Sequence, residues 1–230
     1  MSDTSIDVFI DLPSFPGPVQ AGRLWSHFRK GRESASFEYN KEWLANPHRF
    51  ALEPLLPLAD GTFHTNPGQS VFGAIGDSTP DRWGRILMRR AELARARTAN
   101  ESPHTLSELD YLLRVNDEAR QGALRFSQDG GQSFCAPPGS TPIPPLVNLS
   151  RLLHAADHFC RDDENAEDLR LLLAPGSSLG GARPKASVKD KKGNLCIAKF
   201  PRHDDEYDVV AWEAVALALA SKAGLQVPRL

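Results

Sequence analysis

Residues 174–185 read Ala-Pro-Gly-Ser-Ser-Leu-Gly-Gly-Ala-Arg-Pro-Lys, APGSSLGGARPK in one-letter code. Three glycines and two serines stand there between a leucine-rich helical pattern and an apolar strand pattern. Glycine lets backbone N–H groups approach a bound group closely, and successive N–H groups in such a turn form a concavity suited to anions. A phosphate cradle and an ordinary glycine-rich loop both fit this stretch taken alone. Its neighbours must decide.

Downstream, ASVKD, a KKG turn and NLCIAKF read as a hairpin of two strands. Strand alternation puts Leu195, Ile197 and Lys199 on one face and Cys196, Ala198 and Phe200 on the other. In isolation Lys199 is a strand-end lysine reaching solvent past Pro201, as lysines readily do. A helix is then expected from about Asp208 to Lys222, stopped by Gly224, with Glu213 one turn in. A glycine-rich turn between β-compatible segments, a lysine near the end of the next strand and a helix glutamate form the order in which protein kinases cover and clamp ATP. Two other nucleotide sites fail on spacing. Gly176 and Gly181 are separated as in a Walker A loop, but Ala182-Arg183 stands where Lys-Ser/Thr is required, and there is no GxGxxG fingerprint.

Upstream of the turn, a helix from Asn148 places Leu149, Leu152, Leu153, Ala156 and Phe159 at helical spacing. A second is capped by Asn165 with Asp168 three residues on. His154 and His158, four apart, have the spacing of a metal pair but no third ligand nearby, which favours two surface histidines. Residues 135–147, CAPPGSTPIPPLV, contain five prolines and read as an extended connection, marking a division between two units.

In the first half, residues 22–39 read as a hairpin about a Lys-Gly-Arg turn, and Asn40 caps a short helix through Trp43 and Leu44. Prolines at 54, 57 and 67 deny the next stretch any long element. Ser78-Thr79-Pro80-Asp81 opens a helix carrying Arg82, Arg85, Arg89, Arg90, Arg95 and Arg97. With no aromatic platform interleaved, those arginines read as a solvated face rather than a nucleic-acid face. Thr105 to Glu108 has the spacing of a capping box before a helix with Leu109, Leu112 and Leu113, and residues 121–126 read as a strand.

Composition bounds the function. The chain has 230 residues, 40% hydrophobic and 24% charged, enough for one large or two small domains. No run approaches a membrane span, and the N-terminus lacks the pattern of a signal peptide, so a cytoplasmic location is expected. The net charge of -2 argues against the chain as a whole binding nucleic acid directly, while leaving room for a local basic patch. Cys135, Cys160 and Cys196 form no CxxC pair and imply neither a disulfide framework nor a metal site.

The run SSLGGARPKASV, then CIAKFP, then VVAWEAVALALASKAGLQVP resembles the HipA-like serine/threonine kinases, toxins of bacterial type II toxin–antitoxin systems. SFEYNKEWL, GDSTPDRWGRILMRR and DYLLRVNDEARQGALRF are similar to that family's N-terminal subdomain. The resemblance implies an α+β fold: a HipA-like N-terminal subdomain over 1–127, then a kinase-like N-lobe of antiparallel sheet and helices over 128–230, with the C-lobe absent. It implies a nucleotide site in which Gly180, Gly181 and Ala182 cover the phosphates, Lys199 is the strand lysine and Glu213 its helix partner. Ser178 matches the family's autophosphorylation serine. ATP and Mg2+ are the implied cofactors of the complete kinase, and a small DNA-binding antitoxin its partner. No HRD-like or DFG-like run occurs, so no catalytic residue is expected in this chain, and ATP binding by it alone should be weak or absent. The other function considered is a non-catalytic binding or neutralising subunit of a split HipA-type kinase, which would meet the missing lobe as a separate core chain.

Overall fold

The computed structural model describes residues 4–134, 143–176 and 180–229. Their architecture is mixed α and β, with antiparallel sheets. Strand β1, Thr4–Ile10, reads TSIDVFI and is buried on both faces from Ile6 onward. Nothing in the sequence alone marks this stretch as a strand. In the fold it lies inside a sheet, between β2, Val19–Arg29, and β5, Leu124–Ser127. β2 turns back into β3, Arg32–Tyr39, as expected, through Lys30 and Gly31, both at positive φ. Two successive left-handed residues match the right-handed twist of the flanking strands. A three-residue β4, Thr62–His64, completes the order β4-β3-β2-β1-β5 among the described residues.

Helix α1, Lys41–Ala45, starts where expected: the Asn40 side chain accepts the Glu42 N–H at 2.9 Å. Its Trp43 packs with Ile6, Val8, Ile10, Leu24, Phe37, Phe72 and Phe126 in a first core on one face of the sheet. The short α2, Gly73–Gly76, delivers Ile75 to the same core. Helix α3, Arg82–Ala99, begins one residue after Asp81, so Pro80 precedes the cap rather than opening the first turn. Helix α4, Glu108–Leu113, is held by a capping box, but on Ser107 and Asp110 rather than Thr105 and Glu108. The shift has a simple cause: Asp110 reaches back to the Ser107 N–H at 2.8 Å. The strand expected at 121–126 begins only at Leu124.

Helices α5, Leu149–Cys160, and α6, Ala166–Gly176, follow. Asn165 accepts the Asp168 N–H at 3.0 Å, and Asp168 accepts that of Asn165 at 3.1 Å. Strands β6, Lys185–Lys189, and β7, Leu195–Lys199, form a separate antiparallel pair, and α7 spans Val209–Lys222. A second core joins Trp83 and Leu87 of α3 to Leu152, Phe159, Leu172, Val188 and Phe200. α3 therefore lies within the stretch expected for the first unit, where its Met88 packs with Tyr111 and Val115, while its Trp83 and Leu87 serve elements beyond residue 143.

The arginine face of α3 is not simply solvated. Arg85 makes a two-pronged pair with Glu108 at 2.6 and 2.7 Å and lies 4.6 Å from the Tyr111 ring centre. Arg90 pairs with Glu164 at 2.8 Å, also reaches Asp162, and covers the Phe159 ring. Arg95 bonds Glu92 and Glu101 at 2.8 and 2.7 Å. Glu92 lies on α3 itself and Glu101 just past its end, but the partners of Arg85 and Arg90 come from distant loops and helices, so periodicity within α3 could not reveal them. The five-proline connection lies largely outside the described residues, as does Cys135.

Candidate nucleotide site

The glycine turn links α6 to β6, so it joins a helix to a strand rather than two strands. Ser178 lies outside the described residues. From Gly180 onward the turn is fastened at several points. Gly181 sits at φ +85°, where a side chain would be strained, and a Cβ on it would stand 3.0 Å from the Lys185 ammonium. Its N–H is donated to the Asp81 carboxylate at 2.7 Å, and its carbonyl accepts the Trp83 N–H at 3.0 Å. The Trp83 indole N–H then bonds the Lys185 carbonyl at 2.9 Å, which ties the start of β6 to the second core. Ala182 follows Gly181 on the exposed side of the turn.

Lys185 and Lys199 are directly paired across the two strands. Two cations at facing positions repel unless an anion or an acceptor lies close by. Each has a partner of its own. The Lys185 ammonium, on a residue only 8% exposed, bonds the Gly180 carbonyl. Lys199 forms an ion pair with Glu213 on the first turns of α7. Burial, followed by the charge of Lys199, holds Lys185 below the usual lysine pKa. Sequence reading singled out Lys199 and Glu213 and passed over Lys185 and Asp81. Lys185 had a signal available, its place directly after the turn. Asp81 had none, being a hundred positions away in sequence.

The face that Lys199 shares with Leu195 and Ile197 is open to solvent, the two apolar residues being 49% and 54% exposed. α7 is apolar on every side and buries none of its residues; Trp212 and Leu219 are 63% and 60% exposed. The opposite strand face carries Ala186 and Val188 into the second core.

The arrangement suits an anion. Lys185 and Lys199 supply charge, and the left-handed Gly181 keeps backbone rather than side chain next to the Lys185 ammonium. No group of three metal-ligating side chains occurs among the described residues. His158 stands 3.0 Å from Asp168, an interaction of α5 with the start of α6, and His154 is exposed on the same helix. Among the described residues no helix is long and apolar enough to cross a membrane.

No curated protein matches the chain. Residues 17–127 match the family of HipA N-terminal domains, and residues 177–230 match that of HipA-like C-terminal domains. The glycine turn, Lys185, Lys199 and Glu213 thus all fall inside the second match, and Asp81 and Trp83 inside the first. With both domains present in that order, the chain is a HipA-like protein.

Proposed function

We propose that this chain carries the nucleotide-covering part of a HipA-type serine/threonine kinase toxin of a type II toxin–antitoxin system. The observation that supports this best is the ion pair of Lys199 with Glu213, next to Lys185 and the turn through Gly180 and Gly181. In kinases, a strand lysine held by a helix glutamate beside a glycine turn positions nucleotide phosphates. In this reading Gly180, Gly181 and Ala182 lie over the phosphates, Lys199 meets them with its charge, and Glu213 fixes that charge in place. Ser178 is the autophosphorylation site whose phosphate closes the turn to nucleotide by adding nearly two negative charges. MgATP would supply the phosphoryl group, which a complete kinase passes to a serine or threonine hydroxyl. The working division is 1–127 for the N-terminal subdomain and 128–230 for the kinase-like N-lobe. The partner is a small DNA-binding antitoxin, and the setting is the bacterial cytoplasm.

Catalytic aspartate and asparagine residues of the kinase kind are not among the motifs of this chain, so by itself it transfers no phosphate. A second reading is favoured by the exposure of α7, whose Trp212 and Leu219 need an apolar cover. In that reading the chain is a non-catalytic binding or neutralising subunit that docks on a separate kinase core through α7.

Calorimetry with ATP and Mg2+ tests the site. The expected dissociation constant is about millimolar, roughly −4 kcal/mol, with clear weakening in Lys199→Ala. The pair is nearly half-exposed, so its loss should cost under about 1 kcal/mol of stability and leave the variant folded. Binding that ignores Lys199→Ala defeats the site. Phosphate incorporation from labelled ATP that disappears in this variant defeats the claim of inactivity.

A further inference from the structure

Asp81 occupies the residue before the first turn of α3, where an aspartate ordinarily accepts N–H groups of its own helix. Here its side chain makes no such bond. It is turned instead toward the glycine turn, where it accepts the Gly181 N–H at 2.7 Å. The same carboxylate lies within reach of the space beside Gly180, where a Cβ would meet it at 3.4 Å. A carboxylate thus takes a backbone donor of the kind that anion-binding turns offer to phosphate oxygens. It does so next to Lys185, whose ammonium bonds the neighbouring Gly180 carbonyl. Asp81 is exposed and lines, with Asp77, Thr79, Pro80, Arg85 and Gly180, a polar cavity of about 280 Å³.

We propose that Asp81 is a built-in anion that competes with nucleotide phosphates for the glycine turn and so sets the affinity of the site. The inference rests on the nucleotide reading above and adds to it a residue from the N-terminal HipA match. A phosphate entering beside Gly181 must either displace the Asp81 carboxylate or sit against it, and both cost binding energy. A positioning role alone would predict the opposite sign, since loosening a turn weakens what it holds.

Asp81→Asn separates the two because it keeps an oxygen for the Gly181 N–H and removes the charge. The expected result is ATP binding about tenfold tighter than in the wild-type chain, the size of one relieved charge contact near a protein surface. Adenosine, which carries no phosphate, should respond equally weakly to both proteins. Asp77→Asn removes the same charge from the neighbouring cavity wall without touching the turn, and should change ATP affinity by less than about twofold. Hydrogen exchange supplies a nucleotide-free measurement: protection of the Gly181 amide should persist in Asp81→Asn and be lost in Asp81→Ala. Equal or weaker ATP binding by Asp81→Asn overturns the proposal, as does an equal gain in Asp77→Asn or unchanged Gly181 protection in Asp81→Ala. If no protein in the set binds ATP, the nucleotide reading fails and the competition with it. If all bind ATP equally, that reading stands and the competition alone fails.

Discussion

Glu92 lies on α3 with its side chain 3% exposed, yet it is charged. Arg95 bonds it at 2.8 Å, Arg114 at 3.2 Å and the His104 N–H at 3.2 Å. The bonds from Arg95 foremost, against desolvation by burial, hold its carboxyl down at a pKa of about 2. A carboxylate depressed in the folded state contributes stability that is full above its unfolded pKa and is lost as pH falls toward the folded one. The wild-type chain should therefore lose about 2–3 kcal/mol through Glu92 as the pH drops from about 5 to 2. Urea unfolding of the wild type and Glu92→Gln across that range measures it. The two stabilities should differ most near pH 6 and converge near pH 2. A constant difference across the range would show that the bonds do not depend on ionisation. Of the residues in the candidate site, those with a local signal could be read from the sequence: Lys199 by strand alternation, Glu213 by helix position. Asp81 and Lys185 acquire their roles from contacts between elements, to which no local period corresponds. Arg85 and Arg90 of α3 are the same case, since Glu108, Asp162 and Glu164 lie outside its sequence window.

Elements whose ends carry a side-chain cap were the most legible. Asn40 and Asn165 cap the helices expected of them, and the Lys30-Gly31 turn joins the expected hairpin. β1 was missed because TSIDVFI is short, interrupted by Asp7, and buried on both sides, so it shows no clean alternation. Asp7 is tolerated there because Arg23 and Gln20 of β2 bond it at 2.8 and 3.0 Å. α7 poses the reverse case. Its sequence VVAWEAVALALASK was legible as a helix, but a helix apolar all round belongs in an interior, and this one is exposed. Substituting an exposed apolar residue there should cost little stability, within about 0.5 kcal/mol. Leu219→Glu is accordingly expected to leave the melting temperature unchanged while reducing binding of a hydrophobic dye such as ANS. A large fall in melting temperature would mean that Leu219 supports the fold directly.

At the scale of the molecule, α3 joins what the sequence divides. It lies within the matched HipA N-terminal domain, yet Trp83 and Leu87 are buried against Leu152, Phe159 and Val188. A fragment of residues 1–127 would expose both side chains, each fully buried apolar residue being worth about 1.5–3 kcal/mol. We expect that fragment to keep the sheet and first core but to melt at lower temperature than the whole chain and to aggregate. Equal melting temperatures would make α3 an ordinary surface helix of the first unit. The proline-rich connection suggests a division as a feature of composition, but composition does not reveal which core a helix serves. The chain also holds an optical asymmetry. Of its four tryptophans, Trp43 and Trp83 are buried while Trp212 stands in water on α7. Trp212 should dominate the red edge of the intrinsic emission and be the indole most open to acrylamide quenching. Anything that settles on α7 would shift that edge to the blue and shield it from the quencher, so the protein can report its own docking without a label.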